Sequence, residues 1–96
     1  MPLYVTLGKY TTEAMRAINE VPERFQQNRS LIEARGGKLV AVYGLLGEWD
    51  LLAISAFPDE KSAMSTLLSM GKAGRITTQT MTAVSMDDFI NLAKNA

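Results

Sequence analysis

The apolar residues change their period along this chain in a set order, and that order admits few folds. Leu3-Tyr4-Val5-Thr6-Leu7-Gly8 alternates, with Leu3, Val5 and Leu7 on one side and Tyr4 and Thr6 on the other. Period two in β-forming residues predicts a strand. Thr11 or Thr12 then offers a helix N-cap. Ala14, Ile18, Val21, Phe25 and Ile32 recur at helical spacing, and Pro22 predicts a kink or restart, with Pro22-Glu23-Arg24 as a new first turn. Gly36-Gly37 ends that helix. Lys38–Tyr43 and Asp50–Phe57 read as strands joined by a turn at Gly44–Glu48. Asp59 caps a second long helix, whose expected inner face is Ala63, Met64, Leu67, Leu68 and Gly71. Gly71-Lys72-Ala73-Gly74 stops it. Ile76–Val84 is a threonine-rich strand, and Ser85-Met86-Asp87-Asp88 opens a tail helix with Met86, Phe89, Ile90 and Ala93 on one side. The order β-α-β-β-α-β is the ferredoxin-like split βαβ: an α+β fold with an antiparallel sheet and both long helices on one face. Ninety-six residues make one domain, 1–96, with a core over 2–84 and a C-terminal helix over 85–95.

The strands are apolar on both sides. Leu39, Ala41 and Tyr43 oppose Val40 and Val42; Leu51, Ala53 and Phe57 oppose Leu52 and Ile54. Helices cover one face of such a sheet, and a wet second face demands polar alternation. A second subunit is therefore expected on the other face, giving a dimeric α/β-barrel-like arrangement, with a trimer or higher assembly as the variant. The tail helix folding over that face is the alternative.

Composition removes chemistry. With no His and no Cys, nucleophilic triads, zinc sites, disulfides and imidazole switches are absent from a single chain. Lys+Arg is 10 and Asp+Glu is 10, so no bulk charge draws the chain to nucleic acid or anionic lipid. The longest apolar runs are four or five residues, well short of the about 20 that span a membrane. No signal-peptide core follows Met1-Pro2-Leu3-Tyr4, so a cytoplasmic protein is expected. No cofactor and no metal is expected.

Gly47-Glu48-Trp49-Asp50 follows a Gly-x-aromatic-Asp signature and, with the strand-helix opening Tyr4–Thr11, Pro22-Glu23-Arg24, Gly36-Gly37-Lys38-Leu39, Tyr43 and Pro58-Asp59 in order, resembles the GYD domain family over about residues 2–84. Trp49 takes the usual Tyr position. Ala14 replaces a common Gly, Ala56 a frequent acid, and Thr77 the usual Arg. The resemblance implies an oligomeric ferredoxin-like fold. It implies no defined activity, because the family is largely uncharacterised.

The candidate site residues follow from the chemistry that remains. Glu48 and Asp50, two apart, point the same way from an extended chain, yet two carboxylates make at best a weak cation site. Asp50 also suits a turn clamp and Trp49 a packing role. Tyr4, Tyr10 and Tyr43 could donate to an oxyanion or enolate, with Lys9 and Arg24 supplying positive charge. Tyr4, Lys9, Tyr10, Arg24, Tyr43 and Trp49 are thus the ligand-binding candidates, and Tyr10, Tyr43 and Asp50 the catalytic ones. Gly71–Arg75 follows a helix rather than preceding one, so it reads as a helix stop and not a phosphate loop. The six methionines read as core filler. The expected function is a homo-oligomeric protein binding a small molecule between sheet and helices. The alternatives are a cofactor-independent monooxygenase- or isomerase-like enzyme, argued by analogy of fold, and a structural or regulatory assembly module.

Overall fold

A computed structural model describes all 96 residues, Met1–Ala96. Four strands, β1 (Leu3–Tyr10), β2 (Lys38–Gly44), β3 (Leu51–Ala56) and β4 (Ile76–Ala83), form one antiparallel sheet in the order β2-β3-β1-β4. Helix α1 (Thr12–Arg16), a 3-10 turn over Ile18–Glu20 and α2 (Val21–Ala34) connect β1 to β2. Helix α3 (Glu60–Lys72) connects β3 to β4, and α4 (Met86–Lys94) ends the chain. This is the ferredoxin-like α+β architecture.

The caps are those that side-chain chemistry favours. Thr11 Oγ1 accepts the Ala14 N–H at 3.2 Å, Asp59 Oδ1 that of Ser62 at 2.8 Å, and Ser85 Oγ that of Asp88 at 3.1 Å. The Ser62 amide holds the Asp59 carboxyl below its ordinary pKa, so that cap survives to more acidic pH. The break in the first helical segment falls at Ala17–Glu20, ahead of Pro22. Pro22 sits within the first turn of α2, where its missing N–H costs nothing.

Register decides which residues face the helices. Tyr4, Thr6 and Gly8 of β1 lie beside Ser55, Ala53 and Leu51 of β3, and beside Thr82, Thr80 and Thr78 of β4. Tyr4, Thr6, Gly8 and Ser55 are buried, and Thr6 and Thr80 share a hydroxyl hydrogen bond at 2.9 Å. A bulge between Leu39 and Ala41 corrects the expected alternation of β2. Val40 is the extra residue and is exposed, so Leu39 and Val42, three apart, pair with Ser55 and Ala53 on the helix side. Ala41 and Tyr43 join Ile54 and Leu52 on the opposite side.

The core is small. Tyr4, Ile32, Phe57 and Ala63 form it, with Leu39 packed against them. The Tyr4 and Phe57 rings meet edge to face at 6.0 Å. Phe57 lies so close to Gly37 that a Cβ there would stand 2.6 Å from the ring. Arg35 ties α2 to α3 through hydrogen bonds to Ser65 and, at 3.1 Å, Ser69. The inner face of α3 is Ala63, Thr66, Leu67 and Met70; Met64 and Leu68, expected inside, are 61% and 69% exposed. Thr66 is buried because its hydroxyl donates to the Ser62 carbonyl at 2.8 Å, leaving no unpaired polar atom. Small residues on α3 let it approach a threonine- and serine-rich sheet. The methionines are not core filler: Met1, Met15, Met64, Met81 and Met86 are exposed, and only Met70 turns inward.

The helix-free face carries Leu3, Val5 and Leu7 of β1, Leu52 and Ile54 of β3, Ala41 and Tyr43 of β2, and Met81 of β4. It is the more apolar of the two faces. Helix α4 does not cover it, since every residue of α4, including Met86, Phe89, Ile90 and Leu92, is exposed. Only nine of 96 residues are buried, and 6706 Å² of surface is accessible, against about 5,400 Å² for a compact monomer of this mass. The radius of gyration, 14.5 Å, also exceeds the roughly 13 Å of a compact chain of this length.

The Tyr4 hydroxyl is buried without a hydrogen-bond partner. Burial pushes its phenol pKa up, and the charges of Glu60 and Asp59 add to the rise. Tyr4→Phe removes the orphaned hydroxyl and keeps the ring, so its urea midpoint at neutral pH is expected to equal or exceed that of the wild type. Above pH 10.0, the ordinary value, the unfolded phenol ionises while the folded one stays protonated, so native stability falls as pH rises. That alkaline decline is expected to be shallower in Tyr4→Phe, as urea melts at about pH 8 and about pH 11 would read.

Candidate functional site

The Tyr10 end of the sheet opens into a cleft. Tyr10 closes β1 opposite Ile76, and Gly8 stands opposite Leu51. Asp50 sits immediately before β3 and locks this corner. Its Oδ2 accepts the Tyr10 N–H at 2.8 Å, its own N–H donates to the Gly8 carbonyl at 2.8 Å, and its carbonyl accepts the Leu45 N–H at 2.8 Å. The carboxylate therefore clamps β1 to the mouth of the β2–β3 turn. Gly47 lies within that turn at φ +122°, a conformation that L side chains rarely adopt. Leu46 at its tip is fully exposed.

The cleft encloses about 430 Å³ between the start of α2, the end of α3 and the sheet. Its apolar wall includes Val21, Phe25, Val42, Leu51, Met70 and Ile76, and its polar groups are Tyr10, Arg24, Asn28, Asp50 and Arg75. Burial first, and the Asp50 charge second, raise the Tyr10 phenol pKa, so at neutral pH it is a hydrogen-bond donor and not a base. Beneath lies a smaller space of about 80 Å³ between sheet and helices, reaching Ile32, Phe57 and Leu67. Arg24 Nη2 donates to Glu20 at 2.9 Å, one turn back on the helical segment, while Nη1 is buried without an acceptor.

The expected site residues divide into three places. Tyr10, Arg24 and Asp50 come together at the cleft, while Tyr43 borders its rim from a strand position on the helix-free face and is 58% exposed. Lys9 and Trp49 pair with each other outside it, the ammonium 5.4 Å from the ring centroid, because Lys9 alternates to the helix-free face. Tyr4 lies in the core. Glu48 is exposed in the turn. No three acidic side chains gather in a metal-binding group, and no helix is long and apolar enough to cross a membrane.

Two polar cleft residues were not among the expected site residues: Asn28, and Arg75, which the sequence places in a helix stop. Asn28 follows Arg24 by four positions on α2, a spacing that places both on one face. Arg75 immediately precedes β4, and its carbonyl accepts the Thr11 N–H at 3.1 Å, which brings it beside the Tyr10 end. Its neighbour Ile76 pairs with Tyr10, but that register is invisible in one sequence.

Residues 4–93 match the family model described as the GYD domain. The chain belongs to the GYD domain family. The matched span runs past β4 into α4, so the tail helix is part of the GYD domain. A Thermus thermophilus protein named glutamine synthetase and cystathionine beta-lyase binding protein is 26% identical over 91 residues, covering 94% of this chain and 96% of that protein. Two solved structures share the fold. FFRP-DM1 superposes with a TM-score of 0.63 at 19% identity, over 88% of this chain and all of that one. MtbAldR superposes with a TM-score of 0.68 at 14% identity, over 88% of this GYD domain and 52% of that chain, so the present chain spans about half its length.

Proposed function

We propose that this GYD domain is a homo-oligomeric binding protein whose cleft at the Tyr10 end of the sheet takes up a small organic molecule. The observation that carries the reading is the cleft: about 430 Å³, mostly apolar, with a few converging polar groups. That is the make-up of a small-molecule site. The Asp50 carboxylate is committed to the Tyr10 amide, while the protonated Tyr10 phenol is free to donate a hydrogen bond to a bound molecule.

Self-association rests on the apolar helix-free face and the free apolar side of α4. The surface in excess of a compact monomer is roughly 1,300 Å², more than the about 800 Å² each partner buries in a stable complex. A dimer through this face is the simplest assembly. Lys9 and Lys38 lie on strand positions at opposite ends of the face, and Asp87 and Asp88 open α4, so the charges at the margins suit a partner's tail helix.

A second reading, a regulatory module that docks on enzymes, is favoured by the name of the Thermus relative. The exposed α3 stripe of Lys61, Met64, Leu68 and Lys72 offers it a surface. Native mass spectrometry of the purified protein tests the leading reading. It expects a multiple of the subunit mass and, after incubation with a mixture of small organic acids, amines and neutral metabolites, a retained mass on the assembly. A strictly monomeric chain that retains nothing would overturn it.

A further inference from the structure

We infer that the cleft selects a monocarboxylate with an apolar body: the carboxylate held by Arg24 and Arg75, the body lying along Phe25, Met70 and Leu51 toward the inner space. The inference rests on the reading of this cleft as a small-molecule site and names the chemistry it recognises.

The orphaned Arg24 nitrogen is the starting point. One side of this guanidinium is satisfied by Glu20, while Nη1 has neither water-accessible surface nor an acceptor. Buried N–H groups of a cation without an acceptor are costly, and native proteins seldom keep them. The side chain as a whole is 25% exposed and lines the cleft, so a modest swing of the guanidinium delivers Nη1 to an acceptor there. Arg75 lines the same wall. It also shares with Arg24 a polar hollow of about 300 Å³ beside the cleft, whose wall includes Glu13 and Glu20, so both guanidinium groups belong to the same end.

Charge and shape narrow the ligand. Glu20 pairs with Arg24 and Asp50 offsets Arg75, so this end of the cleft carries no net charge and takes a single carboxylate rather than a dianion. A planar guanidinium matches a carboxylate through paired N–H donors. Tyr10 adds a neutral donor in the same cleft, and Asn28 adds another deeper in, where the cleft meets the space beneath it. The remaining wall is apolar and leads inward, for Phe25, Asn28, Val42, Leu51, Met70 and Ile76 line both the cleft and the space beneath it. Carbonyl and hydroxyl acceptors without charge would not repay the buried Arg24 nitrogen as well as a carboxylate does.

The test is a pair of probes of equal chain length, octanoate and 1-octanol, titrated below micellar concentration into isotope-labelled full-length protein. Amide resonances around Tyr10, Arg24, Asn28 and Met70 are expected to move with octanoate, and octanol to bind about tenfold more weakly or worse. Arg24→Met and Arg75→Met, each checked for an unchanged fold by its remaining resonances, are expected to erase most of that preference. If octanol binds as tightly as octanoate, or both variants keep the preference, the carboxylate class is wrong and the small-molecule reading survives. If neither probe moves a cleft resonance at any concentration used, and a mixed metabolite set also leaves the cleft resonances unmoved, the binding reading falls with it.

Discussion

Ile54→Asp is expected to take the assembly apart and to remove much of the stability of the fold. Ile54 sits near the middle of the helix-free face, between Val5 of β1 and Ala41 of β2. A carboxylate there would be enclosed by apolar side chains when a second copy closes over the sheet, with no partner to offset its desolvation. Such a buried unpaired charge costs about 3–5 kcal/mol. Because nine residues alone are buried within one subunit, much of the stabilising burial is expected to come from the contact between copies, and mass action then couples unfolding to concentration. Sedimentation velocity should show the variant at the monomer mass while the wild type remains larger. The wild-type melting temperature should rise with protein concentration, and that of Ile54→Asp should not. Ile54→Val keeps the apolar surface and is expected to stay assembled. A variant of wild-type size and stability would show that the face is not covered by a copy.

Phe57→Ala is expected to cost a large share of the stability of the fold and to lower the melting temperature by about 20 °C. The ring is 2% exposed, meets Tyr4 edge to face, fills the approach to Gly37 and borders the space beneath the cleft. Truncating a buried Phe costs about 3–5 kcal/mol, the upper values where the surroundings cannot collapse. Phe57 directly follows β3 and its N–H donates to the Pro2 carbonyl at 3.2 Å, so its backbone is held and collapse is limited here. Against a total of about 5–15 kcal/mol, that loss lowers the melting temperature by on the order of 20 °C. Phe57→Leu, which retains most of the volume, should lose well under half as much. Circular dichroism melts of the three proteins decide the matter. A loss below about 1 kcal/mol for Phe57→Ala would mean that this cluster is not the centre of the core.

The element order was legible because each segment shows its own period. Leu3–Gly8 alternates, Ala14 to Ile32 recurs at helical spacing, and Thr11, Asp59 and Ser85 announce helix starts through local hydrogen bonds that need no distant partner. What could not be read depends on tertiary geometry. The Val40 bulge moves Leu39 and Val42 to the same side, against strict alternation, and exists because β2 must pair with β3 in a register that no single strand specifies. Hydrophobicity drew the eye to Met64 and Leu68, yet α3 turns Ala63 and Thr66 inward, where small size and a satisfied hydroxyl outweigh apolar bulk. At the cleft, Tyr10 and Asp50 are 40 positions apart and Arg24 and Arg75 lie on different elements, so only the β1–β3 and β1–β4 pairings bring them together. Residue chemistry suggested Tyr10, Arg24, Tyr43 and Asp50. It could not separate Tyr10, Arg24 and Asp50 from Tyr4, which packs inward, or from Lys9 and Tyr43, whose strand positions lie on the other face.

The placement of β1 between β3 and β4 sets a timetable for folding. Residues 3–10 are synthesised before both of their neighbours, gain one only when residues 51–56 follow, and gain the other when residues 76–83 arrive. Until then one edge of β1 stays unpaired, beside a Leu3, Val5 and Leu7 side that the chain itself never covers. Pairing between the two ends of a chain is slow, because loop closure must precede any contact that rewards it. Slow closure leaves strand edges and apolar surface available to neighbouring chains. A chain nascent on one ribosome can thus meet a sister chain while the edge of β1 is still free, so that a foreign strand can take the place meant for β4.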